Sequence, residues 1–138
     1  MTALDIAIET VKAHEGLRLK PYIDTVGKTT IGYGRNLDDV GISKSEAMLL
    51  LKTDLKVAYE AVRLAIYGFD TLSEMRQAVL IDMMFNLGSP RFKQFKKMIQ
   101  ALEDNDYSRA SFEMLDSKWA VQVGNRANYL AEKMKQGI

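Results

Sequence analysis

The stretch HEGLRLKPYIDTVGKTTIGYG, residues 14–34, leaves helical periodicity in a chain otherwise written in helix-forming residues, and it sets four glycines, at 16, 27, 32 and 34, within nineteen positions. Upstream, Leu4, Ile8 and Val11 recur at helical spacing, with Asp5 and Glu9 near the start where the helix dipole favours acids, so residues 3–14 read as a short amphipathic helix. Gly16 stops that helix, and Pro21 turns the residue before it away from helical geometry. From Leu19 to Gly34 β-branched and aromatic residues gather around a turn at TVGK, which predicts a small hairpin or meander.

Downstream, NLDDVG makes a second break before SKSEAMLLLKTDL, where Ser43 three residues ahead of Glu46 reads as a capping box. A helix is expected over about 54–67, ending near Gly68. TLSEMRQAVLIDMMFNLG has a second capping signal and is too apolar for a surface helix, so it is read as the buried central helix. SPRFKQFKKMIQALEDND opens with Pro90 at a first-turn position. Three further short helices are expected over about 106–116, 118–123 and 125–135. There is no internal repeat, low-complexity segment or long linker. The class is α+β, mostly helical, with a β-hairpin-containing small lobe over about 15–52, a connecting helix, and an all-helical lobe over about 70–138 that includes the N-terminal helix; the whole is read as a single domain over 1–138.

The chain has 138 residues, 47% of them hydrophobic, enough to bury a sizeable core. Nineteen basic residues against eighteen acidic ones argue against binding nucleic acid by charge. Up to Phe85 the balance is ten basic to twelve acidic; after it, nine to six, a mild polarity that a solvated surface accounts for. With no cysteine and a single histidine, disulfides, thiol nucleophiles and Cys- or His-rich metal sites are excluded, and no metal or cofactor is expected. The N-terminus lacks a secretory pattern, and the longest apolar run, AMLLL at 47–51, is too short to span a bilayer.

Glycoside hydrolysis needs two carboxyl groups, one to protonate the leaving oxygen and one to activate water or attack the sugar. Glu15 falls at a helix end and Asp24 in the β region that follows, so the two can face each other as two positions on one helix cannot. Against this stand plainer readings: Glu15 as a solvated helix-end acid, Asp24 as a turn former bonded to its own backbone. Gly32 and Gly34 around Tyr33 suit either an ordinary hairpin end or close approach of a sugar to the backbone. His14 reads as a complement to the helix dipole, Trp119 as packing between short helices, and the eight methionines as gap-filling core residues.

The succession E-G, Y-x-D-x-x-G, T-x-G-Y-G resembles the catalytic signature of the phage-type muramidases, family 24 glycoside hydrolases, to which the T-even phage lysozyme belongs. LIDMMFNLG at 80–88 and SKWAVQVGNRA at 117–127 are similar to the family's central helix and its Trp and Asn-Arg segment. The resemblance implies a two-lobed lysozyme-like fold and cleavage of the β-1,4 bond between N-acetylmuramic acid and N-acetylglucosamine in peptidoglycan, with inversion. It implies Glu15 as general acid, with Asp24 and Thr30 holding the attacking water. Arg126 would position Glu15; Asn125 beside it belongs to the same motif or N-caps the last helix, or does both. Phe85 either lines the substrate cleft or packs in the core. Tyr33 and Asn36 are further candidates for substrate contact. Arg35 stands where the T-even enzyme has histidine, so any ion pair there is permanently charged and no titration of residue 35 is expected between about pH 5 and 8.

The implied role is a phage endolysin that lyses the host: a monomer without membrane anchor, held in the host cytoplasm and released to the periplasm and cell wall with the help of a holin, acting on peptidoglycan glycan strands. The Met1 start without a linker fits a standalone chain; entry into the host and prophage origin are variants of the same reading. A catalytically silent peptidoglycan-binding module and a small helical nucleic-acid-binding protein are the alternatives. Retention of Glu15, Asp24 and Thr30 together argues against the first, and near-neutral charge against the second.

Overall fold

In the computed structural model, which describes residues 1–138, the chain divides into two units, Met1–Leu49 and Leu50–Ile138. The first unit opens with α1 (Ala3–Glu15), started by a reciprocal capping box between Thr2 and Asp5 and ended by Gly16 at φ +72°. Within this unit α1 buries none of its side chains. Strands β1 (Arg18–Ile23), β2 (Thr29–Gly32) and β3 (Arg35–Asn36) follow as an antiparallel meander in the order β1-β2-β3. The hairpin predicted around TVGK is there, and the glycine turn after Thr30 carries the chain back into a short third strand.

Polar contacts shape this small unit. Thr30 is its one buried residue, and the loop after β3 is tied by side chains: Asn36 Nδ2 donates to Asp39 and Asn36 Oδ1 accepts from the Asp39 backbone N–H, both at 2.9 Å. Asp38 accepts from the Thr29 backbone N–H at 2.8 Å. Arg35 forks onto Glu46, with Nη1 to Oε1 at 2.8 Å and Nη2 to Oε2 at 2.7 Å. Glu46 also accepts from the Ser43 N–H at 2.8 Å, while Ser43 Oγ accepts from Glu46 N–H at 3.1 Å, so the capping box read from sequence also anchors an ion pair.

Helix α2 (Lys44–Ala65) runs unbroken from that box. The expectation of a separate helix over about 54–67 is corrected: no Gly or Pro interrupts residues 44–65, so propagation continues through Thr53 and Asp54, and the helix ends two residues earlier. Gly68, at φ +80°, then leads into a 3-10 turn at Phe69–Thr71. Helix α3 (Glu74–Leu87), capped by Ser73 Oγ on the Arg76 N–H, is the buried helix expected, contributing Val79, Leu80, Met83, Met84 and Leu87 to the core.

After α3 come α4 (Ser89–Phe92), α5 (Lys96–Glu103), α6 (Tyr107–Leu115), α7 (Lys118–Val123) and α8 (Asn125–Gln136), with α3 packed against α4 and α8 and α6 against α5, α7 and α8. The segment opening at Pro90 is broken between α4 and α5 by Phe95, whose ψ of 55° is outside helical range. Small residues let α6 and α8 approach: Ala110, Ala127 and Ala131 are buried, and Ser111 Oγ donates to the Ala131 carbonyl at 2.7 Å. Five of the eight methionines, Met83, Met84, Met98, Met114 and Met134, fill the core and Met75 packs partly buried against it, but Met1 and Met48, read with them as core residues, are exposed. Trp119 is buried, edge-on to Phe95, its Nε1 donating to Asn86 at 2.7 Å. Arg76 closes the last helix by donating to the carbonyls of Met134 at 2.7 Å and Lys135 at 2.9 Å, with its guanidinium over the Tyr107 ring. No helix is long and apolar enough to cross a membrane.

Candidate active site

Three of the residues singled out in the sequence, Glu15, Asp24 and Thr30, lie in the first unit. Asp24 and Thr30 are fixed by one residue between them. Asp24 Oδ1 accepts the backbone N–H of Lys28 at 2.8 Å and that of Val26 at 3.0 Å, while Thr30 Oγ1 donates to the Lys28 carbonyl at 2.9 Å. The plain reading of Asp24 as a turn former therefore holds, and it leaves Oδ2 without a protein partner. With its proton committed to Lys28, the Thr30 hydroxyl presents lone pairs, and so does Oδ2. Two acceptors held by one rigid turn are what orienting a water requires.

The strand register adds neighbours. Thr30 stands opposite Tyr22 on β1 and opposite Asn36 on β3, and directly paired residues share a face of the sheet. Tyr22, Asp24 and Lys28 are half-buried while Ile23 on the other face is exposed, so the face carrying Asp24 and Thr30 is the more enclosed one. Asn36, a candidate for substrate contact, has its amide engaged with Asp39 through both Nδ2 and Oδ1.

Glu15 is the last residue of α1, exposed, and its carboxyl rests against Gly34. A Cβ at position 34 would lie 3.0 Å from Glu15 Oε2 and 3.1 Å from its Cδ, and Gly34 sits at φ +87°. The backbone conformation favours glycine there, and a Cβ would in addition crowd the Glu15 carboxyl by a few tenths of an ångström. The sequence reading attributed this glycine to the turn or to sugar approach; its contact with the Glu15 carboxyl was not visible in the spacing. Tyr33 on the same turn is exposed, with Lys12 Nζ 5.8 Å from its ring centre. His14 and Lys12 occupy the last turn of α1, where cations complement the dipole.

In the second unit, Phe85 is 43% exposed rather than core. It lines a hollow of about 680 Å³ with Leu51, Leu55, Tyr59, Asp82 and Arg126. Arg126 is held by Asp82, which accepts from Nε at 2.9 Å and from Nη2 at 2.7 Å on the same Oδ1. Asp82 was not singled out in the sequence, although its place three residues before Phe85 on α3 was readable as one helix face. Asn125 does not cap the last helix: Gly124 occupies the cap position and Asn125 is the first residue of α8, because α7 ends on Gly124 and α8 begins at once.

The Arg35 position is electrostatically distinct. The Arg35 hydrogen bond, then those from Ser43, pull the Glu46 carboxyl down to about 2, and the pairing raises Arg35 further above its ordinary range. A permanently charged pair at residue 35 is as the sequence implied.

A mostly helical chain with one small three-stranded antiparallel sheet belongs to the lysozyme-like α+β class. Residues 12–136 match the family model described as phage lysozyme; the chain belongs to that family and is a lysozyme-type hydrolase, which implies peptidoglycan as its substrate. It is 27% identical, over 94% of this chain and 93% of the relative, to a probable T4-type lysozyme 2 of Dictyostelium discoideum. It is 31% identical, over 80% of this chain and 74% of the relative, to an endolysin of Acyrthosiphon pisum secondary endosymbiont phage 1. A SAR-endolysin of Escherichia phage Mu is 27% identical over 81% of this chain and 64% of its own length.

Proposed function

We propose that this lysozyme is a muramidase that hydrolyses the β-1,4 bond between N-acetylmuramic acid and N-acetylglucosamine with inversion. Glu15 donates its proton to the glycosidic oxygen; Asp24 and Thr30 orient the water that attacks the anomeric carbon from the opposite side. The observation that carries this reading is the joint anchoring of Asp24 and Thr30 on the backbone of Lys28, which leaves Asp24 Oδ2 and the Thr30 lone pairs free. A water bound there gives a proton to Asp24 as its oxygen bonds to carbon, while the sugar–oxygen bond breaks and the leaving oxygen takes the Glu15 proton. Arg126, fixed by Asp82 and with Asn125 beside it, keeps the role of positioning residue that the family resemblance implies, and Phe85 and Tyr33 that of contacting the glycan. Asn36 is given a supporting role in shaping the loop, since both its amide atoms are engaged.

In the cell the reading is that of an endolysin: a monomer degrading the host wall at the end of a phage cycle, passing from the cytoplasm to the wall through a membrane opened by a holin. The relatives named as endolysins support the endolysin part of this reading. The test of bond and stereochemistry is digestion of peptidoglycan with mass analysis of the fragments and proton NMR of the first products. Muramic acid at a free reducing end, formed first as the α-anomer, is expected. Anhydromuramic ends, glucosamine reducing ends, or a β-anomer formed first would each overturn the corresponding part.

A further inference from the structure

Arg18 and Tyr22 both belong to β1, four residues apart. In a regular strand such residues stand about 13 Å apart along the axis. Here the Arg18 guanidinium lies 4.7 Å from the centre of the Tyr22 ring. The register shows the cause: Arg18 pairs with Gly32 and Tyr22 with Thr30, so β1 advances from 18 to 22 while β2 covers only 32 to 30. That irregularity bends the strand and lets the arginine fold back along the ring; bulges of this kind re-aim side chains beside functional sites.

The contact holds the arginine without neutralising it. None of the six ion pairs of the chain involves Arg18, and none of the side-chain hydrogen bonds described above uses it. The ring that supports it is half-buried and directly opposite Thr30, on the sheet face that carries Asp24. An oriented, uncompensated guanidinium beside the candidate water-holding residues is built to meet an anion, and its planar fork matches a carboxylate. Peptidoglycan differs from uncharged β-1,4 glucosamine polymers in bearing short peptides with free carboxylates.

We propose that Arg18, held by Tyr22 through the bulge in β1, is a substrate-binding residue that reads a carboxylate of the peptide borne by the glycan strand. The inference rests on the muramidase reading and deepens it by naming a determinant of selectivity for the peptide-bearing polymer.

The experiment compares wild type, Arg18→Gln and Arg18→Lys on soluble uncross-linked peptidoglycan strands and on the same strands with their carboxylates amidated by carbodiimide and methylamine. Loss of a charge-assisted hydrogen bond should raise the KM of Arg18→Gln about tenfold on the native strands, with kcat within about twofold. Arg18→Lys, which keeps the charge and loses the fork, should fall between. On amidated strands wild type and Arg18→Gln should have the same KM. An unchanged KM for Arg18→Gln on native strands, or an equal loss on both substrates, would overturn the assignment while wild-type turnover kept the muramidase reading intact. Failure of the wild type to cleave either substrate would remove both. Matching thermal melts of the three proteins separate the effect from misfolding.

Discussion

Replacing Gly34 with alanine tests the contact between the glycine turn and the Glu15 carboxyl. Two costs add at that site. A non-glycine residue at φ +87° carries a backbone penalty of about 1–2 kcal/mol. The new methyl also meets Glu15 Oε2 at 3.0 Å, where ordinary contact begins at 3.4 Å, so the carboxyl must recede by roughly 0.4 Å, the difference of the two. A misplacement of about 1 Å costs on the order of 10²-fold in rate, so a shift of this size should lower kcat about tenfold. Gly68→Ala is the control: its φ is +80°, but its Cβ would find only the Thr71 hydroxyl at an ordinary 3.6 Å. Both variants should melt about 4–8 °C lower than wild type, and only Gly34→Ala should lose lytic rate. Turbidity loss of permeabilised Gram-negative cells, measured well below both melting temperatures, reads the difference. Equal rates in the two variants would refute the argument that the carboxyl resting on Gly34 is the one that acts.

Other consequences follow from the polar contacts. The Glu46 carboxyl titrates at about 2 in the folded chain against an ordinary 4.5, so its pairing with Arg35 stabilises the fold above about pH 4.5 and is lost as pH falls toward 2. Glu46→Gln should lower the stability plateau between pH 5 and 8, leave it independent of pH there, and flatten the acid limb below it; a surviving acid limb of full size would assign it elsewhere. Arg76→Ala removes two hydrogen bonds to the end of α8 and the stack on Tyr107, and should cost about 2–3 kcal/mol in urea unfolding with no loss of activity in the folded fraction. Arg126→Ala should slow lysis, and unchanged lysis would discard its positioning role.

Much of the site was readable because its chemistry sits in consecutive, punctuated sequence. Gly16 ends a helix on Glu15, the TVGK turn follows Asp24, and paired glycines follow Thr30; each is a local signal that marks where the chain breaks or turns. The helices of the second unit were readable for the same reason, since Ser73, Ser117 and the glycines at 88, 124 and 137 mark their ends. What escaped was of two kinds. Propagation of α2 through Thr53 and Asp54 was hidden because weak helix formers resemble a boundary when a strong capping box lies just upstream. The partnerships between residues far apart in sequence left no local trace: Arg126 with Asp82, Arg76 with the end of α8, and Gly34 with Glu15. Asn125 was read as a cap from its residue type, but a glycine at the preceding position already provides the abrupt junction between α7 and α8.

The most direct test of the central claim, that a glutamate at the end of α1 is the proton donor of a muramidase, is lysis of outer-membrane-permeabilised Gram-negative cells by wild type beside Glu15→Gln. The amide keeps the size of the side chain and removes its acid. Wild type should lyse the cells, releasing muropeptides with reducing muramic acid, and the variant should lose at least about 10³-fold with an unchanged melting temperature. Comparable lysis by both proteins would contradict it, as would wall binding without lysis by either.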